Sequence, residues 1–331
     1  MKKNLFILVI LFPFLLSLDS GVYDSSYYAK YQSPEGILFL SYSQHWDENK
    51  LEKLYEELLK NNHGEEIDLL QEVRVRGESL DTTPTRGSFH ALTNTITLYQ
   101  GDTYRDPSDY TETLSHEYGH HFSYFHFKSH HFPFSTYHEL RKLKEEPIRW
   151  DAFWNYTNGH HKWFPQEIIA DDYLLLFGPT HKMEKRDVYT NEAFYLRTQH
   201  ENQEIANVLE NKELHDYFEK ISGLQVDSNR LIETPELIEF QRNQLIFTST
   251  PRENIAYRLN VTFYNKENKV HKEELYYITS NNENSRVIFD LTNSVNNYSP
   301  TYFKFTIDVV DLNTSIGFET KEMMLDNVVK R

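Results

Sequence analysis

The chain has 331 residues, 39% of them hydrophobic and 15% aromatic, enough to bury real cores and too apolar for a disordered tail. A formal net charge of −16 argues against nucleic acid or an anionic membrane surface as partner, since both select basic patches. Cysteine is absent, which excludes disulfides, thiolate nucleophiles and cysteine-type zinc sites together; any metal site must use His, Asp and Glu.

Lys2 and Lys3 precede an almost unbroken apolar run, Leu5 to Leu18, and small residues follow at Ser20 and Gly21. This is the pattern of a cleaved export signal over residues 1–20, implying a secreted or extracytoplasmic protein. An uncleaved N-terminal anchor is the rival reading, although the run contains Pro13 and falls short of the ~20 residues a spanning helix needs. Residues 37–43 (ILFLSYS) read as a buried strand. Residues 47–61 read as a helix capped by Asp47, with Leu51, Leu54, Tyr55, Leu58 and Leu59 at helical spacing. Strands are expected at 68–76 and at 94–99 (NTITLY), the second offering a sheet edge to which an extended substrate can add.

A helix over residues 109–128 comes next, then an aromatic, His-rich stretch, 129–163, helical in pieces such as 137–146. Residues 165–177 form a helix opened by Pro165 and stopped by Gly178-Pro179, and a further helix is expected at 203–221. Beyond Pro235 the period falls to two. Tyr257, Leu259, Val261 and Phe263, and again Phe303, Phe305, Ile307 and Val309, alternate with polar residues, in a pattern of six or seven short strands that suggests a small β-sandwich. The expected organisation is a signal (1–20), an α+β domain (21–234) and an all-β sandwich (235–331).

The stretch HEYGHHFSYFHFKSHH, residues 116–131, holds six histidines. At about 100° per residue Leu114, Tyr118, His121, Phe122 and Phe125 share a core-facing stripe. His116 and His120, four apart on the other side, can both reach one zinc ion at Zn–N distances of about 2.0–2.1 Å. Glu117 stands beside that ion and suits a base acting on a water there. In PQEIIADD, residues 165–172, Glu167 and Asp171 lie four apart on one helix face. Glu167 completes a His₂Glu set with a fourth position open, and Asp171 is placed to accept the other ring N–H of a ligand histidine. His121 reads as a core histidine, and His130 and His131 as imidazoles meeting the last helix carbonyls. His160 and His161 are the best rival ligands, and the aromatic run from Trp150 to Trp163 reads as packing that can also wall a cleft.

HEYGH at 116–120, EIIAD at 167–171 and, more weakly, NTITLY resemble the gluzincins, the thermolysin-like zinc metallopeptidases, over residues 37–222. The interval between the two motifs is longer than in thermolysin. The resemblance implies a zincin-like α+β domain with one catalytic Zn²⁺ held by His116, His120 and Glu167. It further implies Glu117 as general base in peptide-bond hydrolysis, Asp171 as the carboxylate behind a ligand imidazole, and a peptide or protein substrate. A histidine or tyrosine against the oxyanion is also implied, with Tyr156, Tyr173, Tyr195 and His200 as candidates. The sandwich is similar to fibronectin type III and Ig-like modules in strand pattern alone, and would serve cell-surface contact or brace the catalytic unit. Two other classes fit the residues: a non-catalytic zinc-fold surface or binding protein, and a zinc hydrolase of a non-peptide amide.

Overall fold

A computed structural model describes residues 26–78, 85–152, 158–280 and 285–326; the signal reading of residues 1–20 and the candidate Tyr156 lie outside them. The described chain is mixed α and β with three sheets and several helices, and it divides into two compact units, up to Leu174 and from Leu175 onward.

The first unit is built on a five-stranded sheet. Its strands are β1 (Ala29–Gln32), β2 (Leu38–Ser41), β3 (Glu72–Val75), β4 (Gly87–His90) and β5 (Thr95–Leu98), in the order β1-β2-β3-β5-β4. The β2–β3 and β3–β5 pairs are parallel, and β1 and β4 run antiparallel at the two edges. Helix α1 (Glu48–Leu58) crosses between β2 and β3, and its Asp47 cap accepts the Lys50 N–H at 3.0 Å. Leu51, Leu54 and Leu58 of α1 are fully buried, as are Phe39, Val73, Val75, Ile96 and Leu98 of the sheet. Helix α2 (Thr111–His126) adds Leu114, Tyr118 and Phe122, the stripe expected from the period. Short helix α3 (Thr136–Leu140) and helix α4 (Pro165–Phe177) follow, α4 beginning at Pro165 as its sequence requires.

The NTITLY strand, β5, is not an edge: β3 and β4 occupy both its sides. The edge is β4, whose four residues GSFH are too short to display an alternation in the sequence.

In the second unit, helices α5 (Lys185–Tyr189), α6 (Glu192–Tyr195), α7 (Lys212–Ser222) and α8 (Thr292–Tyr298) accompany two sheets. The helix expected at 203–221 is confined to α7, because the Asn211 side chain caps it, accepting the Leu214 N–H at 3.2 Å. One sheet has the order β10-β7-β6, from Arg286–Asp290, Gln244–Thr248 and Leu237–Gln241. The other runs β12-β11-β8-β9, from Gly317–Glu319, Tyr302–Asp311, Ile255–Asn265 and Asn268–Ile278, with β13 (Met323–Asp326) also paired to β11. Every pair in both sheets is antiparallel. Ring contacts of Phe247 with Phe305 (5.8 Å) and Phe240 with Phe303 (5.5 Å) join the two sheets through the alternating positions read from the sequence. Met183, Val188, Ala193 and Phe194 share a core with Ala256 and Val310 of β8 and β11, and the Met183 N–H donates to Leu312 O at 2.7 Å. Pro235 therefore marks where strands begin, while the compact division lies earlier, inside α4.

Candidate metal centre

Two helices meet where glycine permits it. Gly119 of α2 lies against Ala170 of α4 so closely that a Cβ there would stand 2.8 Å from the Ala170 carbonyl oxygen and 3.0 Å from its Cα. Backbone contact at this point brings His116 and His120, on one helix, to Glu167 and Asp171, on the other.

His116 Nε2 lies 3.2 Å from Glu167 Oε2 and His120 Nε2 lies 3.1 Å from the same oxygen. Donor atoms of these three residues all fall within 4.8 Å of one another. Four donors tetrahedral about zinc at bonds near 2.0–2.1 Å would be about 3.3 Å apart. Spacing and donor chemistry both fit a divalent cation of the zinc type. His116 is held from both sides. Its Nδ1–H donates to Asp171 Oδ1 at 2.8 Å, which turns Nε2 toward Glu167. Across the 3.2 Å to Glu167 Oε2, either the Nε2 proton of the charged ring or a cation in its place joins the two groups.

Charge follows the same geometry. Burial would lower the His116 imidazole, but Asp171 and Glu167 hold it well above the usual histidine range. Burial would raise Glu167, and the imidazoles of His120 and His116 keep it well below the ordinary carboxylate range instead. Glu117 behaves differently. Buried to 6% exposure, its carboxyl is pushed up by desolvation, only partly offset by His120 and His116. Edge strand β4 passes directly over it at Gly87, where a Cβ would stand 2.6 Å from Glu117 Oε1.

Three of the other four histidines of the stretch bond to structural partners, while His131 Nδ1 is buried without a hydrogen bond. His121 is 2% exposed with Nε2 bonded to Glu66 O at 2.7 Å, and His126 Nε2 meets Glu66 Oε2 at 3.0 Å. His130 Nδ1–H donates to Phe127 O at 2.7 Å, just past the end of α2. Tyr173, a candidate oxyanion partner, is fully buried and its hydroxyl donates to Asn62 O at 2.8 Å. Tyr195 and His200 belong to the second unit.

His161, a rival ligand in the sequence, carries weight, as do Asp172 and Arg141, which the sequence did not signal. His161, in the 3-10 turn Asn158–Trp163, places Nε2 3.2 Å from Glu167 Oε2. Its adjacency to Glu167, six positions on, was the available clue. Asp172, neighbour of Asp171, points the other way into the core, where Tyr137 OH (2.7 Å) and Arg141 Nε (2.9 Å) bond its carboxylate. Arg141 and Asp172 are 1% and 0% exposed, and they tie the residues after α3 to α4.

No family model and no curated protein matches the chain. Three crystal structures of OgpA from Akkermansia muciniphila are similar: two of the wild type, and one of a catalytically inactive form in complex with an O-glycopeptide (glycodrosocin) substrate. Identities are 10%, 8% and 11%, with TM-scores of 0.19, 0.19 and 0.17 over 77% of this chain. The match spans less than two thirds of OgpA, 64% to 65% of its length, and similarity at this level assigns neither fold nor function.

Proposed function

We propose that the chain is an exported zinc-dependent metallopeptidase of the gluzincin kind. Residues 21–234 would form its zincin-like part and 235–331 a fibronectin type III or Ig-like sandwich. The observation that carries this reading is the convergence of His116 and His120 on one oxygen of Glu167 with Glu117 buried beside them. Zinc, when bound, supplies a Lewis acid and makes a water acidic enough to ionise near neutral pH. The chain's own residues do the rest. Asp171 holds the His116 ring by Nδ1–H, fixing Nε2 as the free donor. Glu117, raised by burial, takes the proton of the attacking water and returns it to the leaving amine. Edge strand β4, lying over Glu117 at Gly87, is the strand to which an extended peptide would add, bringing its carbonyl to that carboxylate.

Zinc analysis paired with a Glu117→Gln variant assayed on a peptide library tests the reading. One zinc per chain is expected in both proteins, with kcat/KM in the variant lower by about 10²–10⁴-fold. Wild-type protein that holds zinc and cleaves no peptide would instead indicate a non-catalytic zinc-fold protein or a hydrolase of another amide.

A further inference from the structure

Tyr195 has no task in the mechanism above, and it stands 75% exposed at the end of α6. It lines an open cavity of about 320 Å³ whose residues all belong to the second unit. Strand alternation builds the floor of that cavity. Leu259, Val261 and Phe263 of β8 are fully buried, so Arg258, Asn260 and Thr262 take the other face of the sheet. There they pair with Asp308, Thr306 and Lys304 of β11. Glu274 and Lys272 of β9 border them on one side and Glu319 of β12 on the other.

Small-ligand sites of this size are mostly apolar, and this one is polar except at Tyr195 and Phe305. Its charges cancel: Arg258, Lys272 and Lys304 stand against Glu274, Glu319 and Glu322. They are also spent on one another. Arg258 gives Nε (2.9 Å) and Nη2 (2.8 Å) to Asp308 and Nη1 (2.9 Å) to Asn191, so no side of its fork is left for an outside anion. Lys304 Nζ meets Glu322 at 2.7 Å. The acceptors are only half used. Glu319 accepts the Thr306 hydroxyl on Oε1 at 2.7 Å, and Glu274 accepts Asn191 and Tyr276 on Oε2 at 3.1 and 3.0 Å, which leaves the second oxygen of each for a further donor. Asn260 commits Nδ2 to Asp308 at 2.7 Å and keeps its carbonyl oxygen. The Arg258 guanidinium packs 5.4 Å from the Tyr195 ring centroid, so this exposed ring is held in place before anything binds.

We propose that this cavity is a binding site for a neutral glycan. A ligand suited to it is uncharged, rich in hydroxyl groups that give and accept hydrogen bonds, and has one C–H face to lay on an aromatic ring. A hexose or N-acetylhexosamine unit has all three properties. An acidic ligand finds its cations already paired, and a peptide finds no apolar pocket beyond one ring. Tyr195 is then the platform, and Glu319, Glu274 and Asn260 take the hydroxyl hydrogens. The site is independent of the metal centre and of the reaction proposed there.

The full chain is tested on an array of neutral oligosaccharides built from hexose and N-acetylhexosamine units, with sialylated and sulfated glycans beside them. Neutral glycans should be retained, and arms of free oligomers and of the same sugars linked to peptide carriers tell a polysaccharide from a glycoprotein as their source. Titration calorimetry with the best-retained oligosaccharide then reads the site. Tyr195→Ala should weaken binding by about tenfold with the urea midpoint unchanged, and Tyr195→Phe, which keeps the ring, should stay within about threefold of wild type. Glu319→Gln should weaken binding by about tenfold, since a charged acceptor is lost. Retention of no neutral glycan, or of the sialylated and sulfated ones alone, overturns the proposal. Neutral-glycan binding that Tyr195→Ala and Glu319→Gln leave at wild-type strength overturns it as well, by placing the sugar elsewhere on the chain.

Discussion

Two buried carboxylates flank helix α2, and they are surrounded in opposite ways. Behind it, Glu66 accepts the Gly64 N–H at 2.9 Å and the Tyr118 hydroxyl at 2.9 Å, and pairs with His126 Nε2 at 3.0 Å. Burial alone would raise this acid, but the His126, Gly64, Glu66 and Tyr118 donors bring it down to about 2. In front, Glu167 faces Nε2 of three imidazoles, one of which, His116, gives its Nδ1–H to Asp171. A buried acid ringed by groups that each bring a hydrogen is a finished structural joint. One ringed by imidazole nitrogens can be joined by their protons or by a cation that takes their place.

The largest effect should come from breaking the finished joint. Glu66→Gln is expected to cost about 3 kcal/mol in urea unfolding while leaving zinc content unchanged. Loss of zinc in this variant would show that the two sides of α2 are not separate. The pH dependence has a definite sign. Glu66 sits below its ordinary value in the folded chain, so its contribution is complete above about 4.5 and disappears as the pH falls toward about 2. An acid titration of the wild type minus that of the variant isolates this window. Next in size, Gly119→Ala should cost about 1–3 kcal/mol and weaken zinc as well, since a methyl against the Ala170 backbone moves Glu167 away from both imidazoles. If stability fell and zinc affinity did not, helix contact would not be what aligns the front side. Smallest, Asp171→Asn should lower zinc affinity by about tenfold with the urea midpoint unchanged, because only the hold on the His116 ring is altered.

Local spacing made the front of α2 readable. HEYGH and EIIAD each place their side chains by helix geometry alone, and Pro165 opens α4 as expected. The back was hidden, since Glu66 lies in a 3-10 turn whose sequence, EEIDL, looks like solvated surface. Its partners come from 52 and 60 positions away. Asp171 and Asp172 show the limit well. Adjacent and chemically identical, they serve His116 and Arg141, and only the fold of residues 129–152, which follows no period, separates their roles. His161 was legible as a rival ligand alone, beside His160, as its turn has no repeat from which a direction can be read. The four-residue β4 was too short to announce the sheet edge that displaces β5 from that place.

Contact at Gly119 is backbone against backbone, so the span between the two halves of the candidate metal centre is set by the least deformable parts of both helices. Long side chains usually bridge helices and can swing; here they only finish a gap already fixed. The candidate donors are thus preorganised, and most of the free energy of capturing an ion there would go into affinity rather than into ordering the chain.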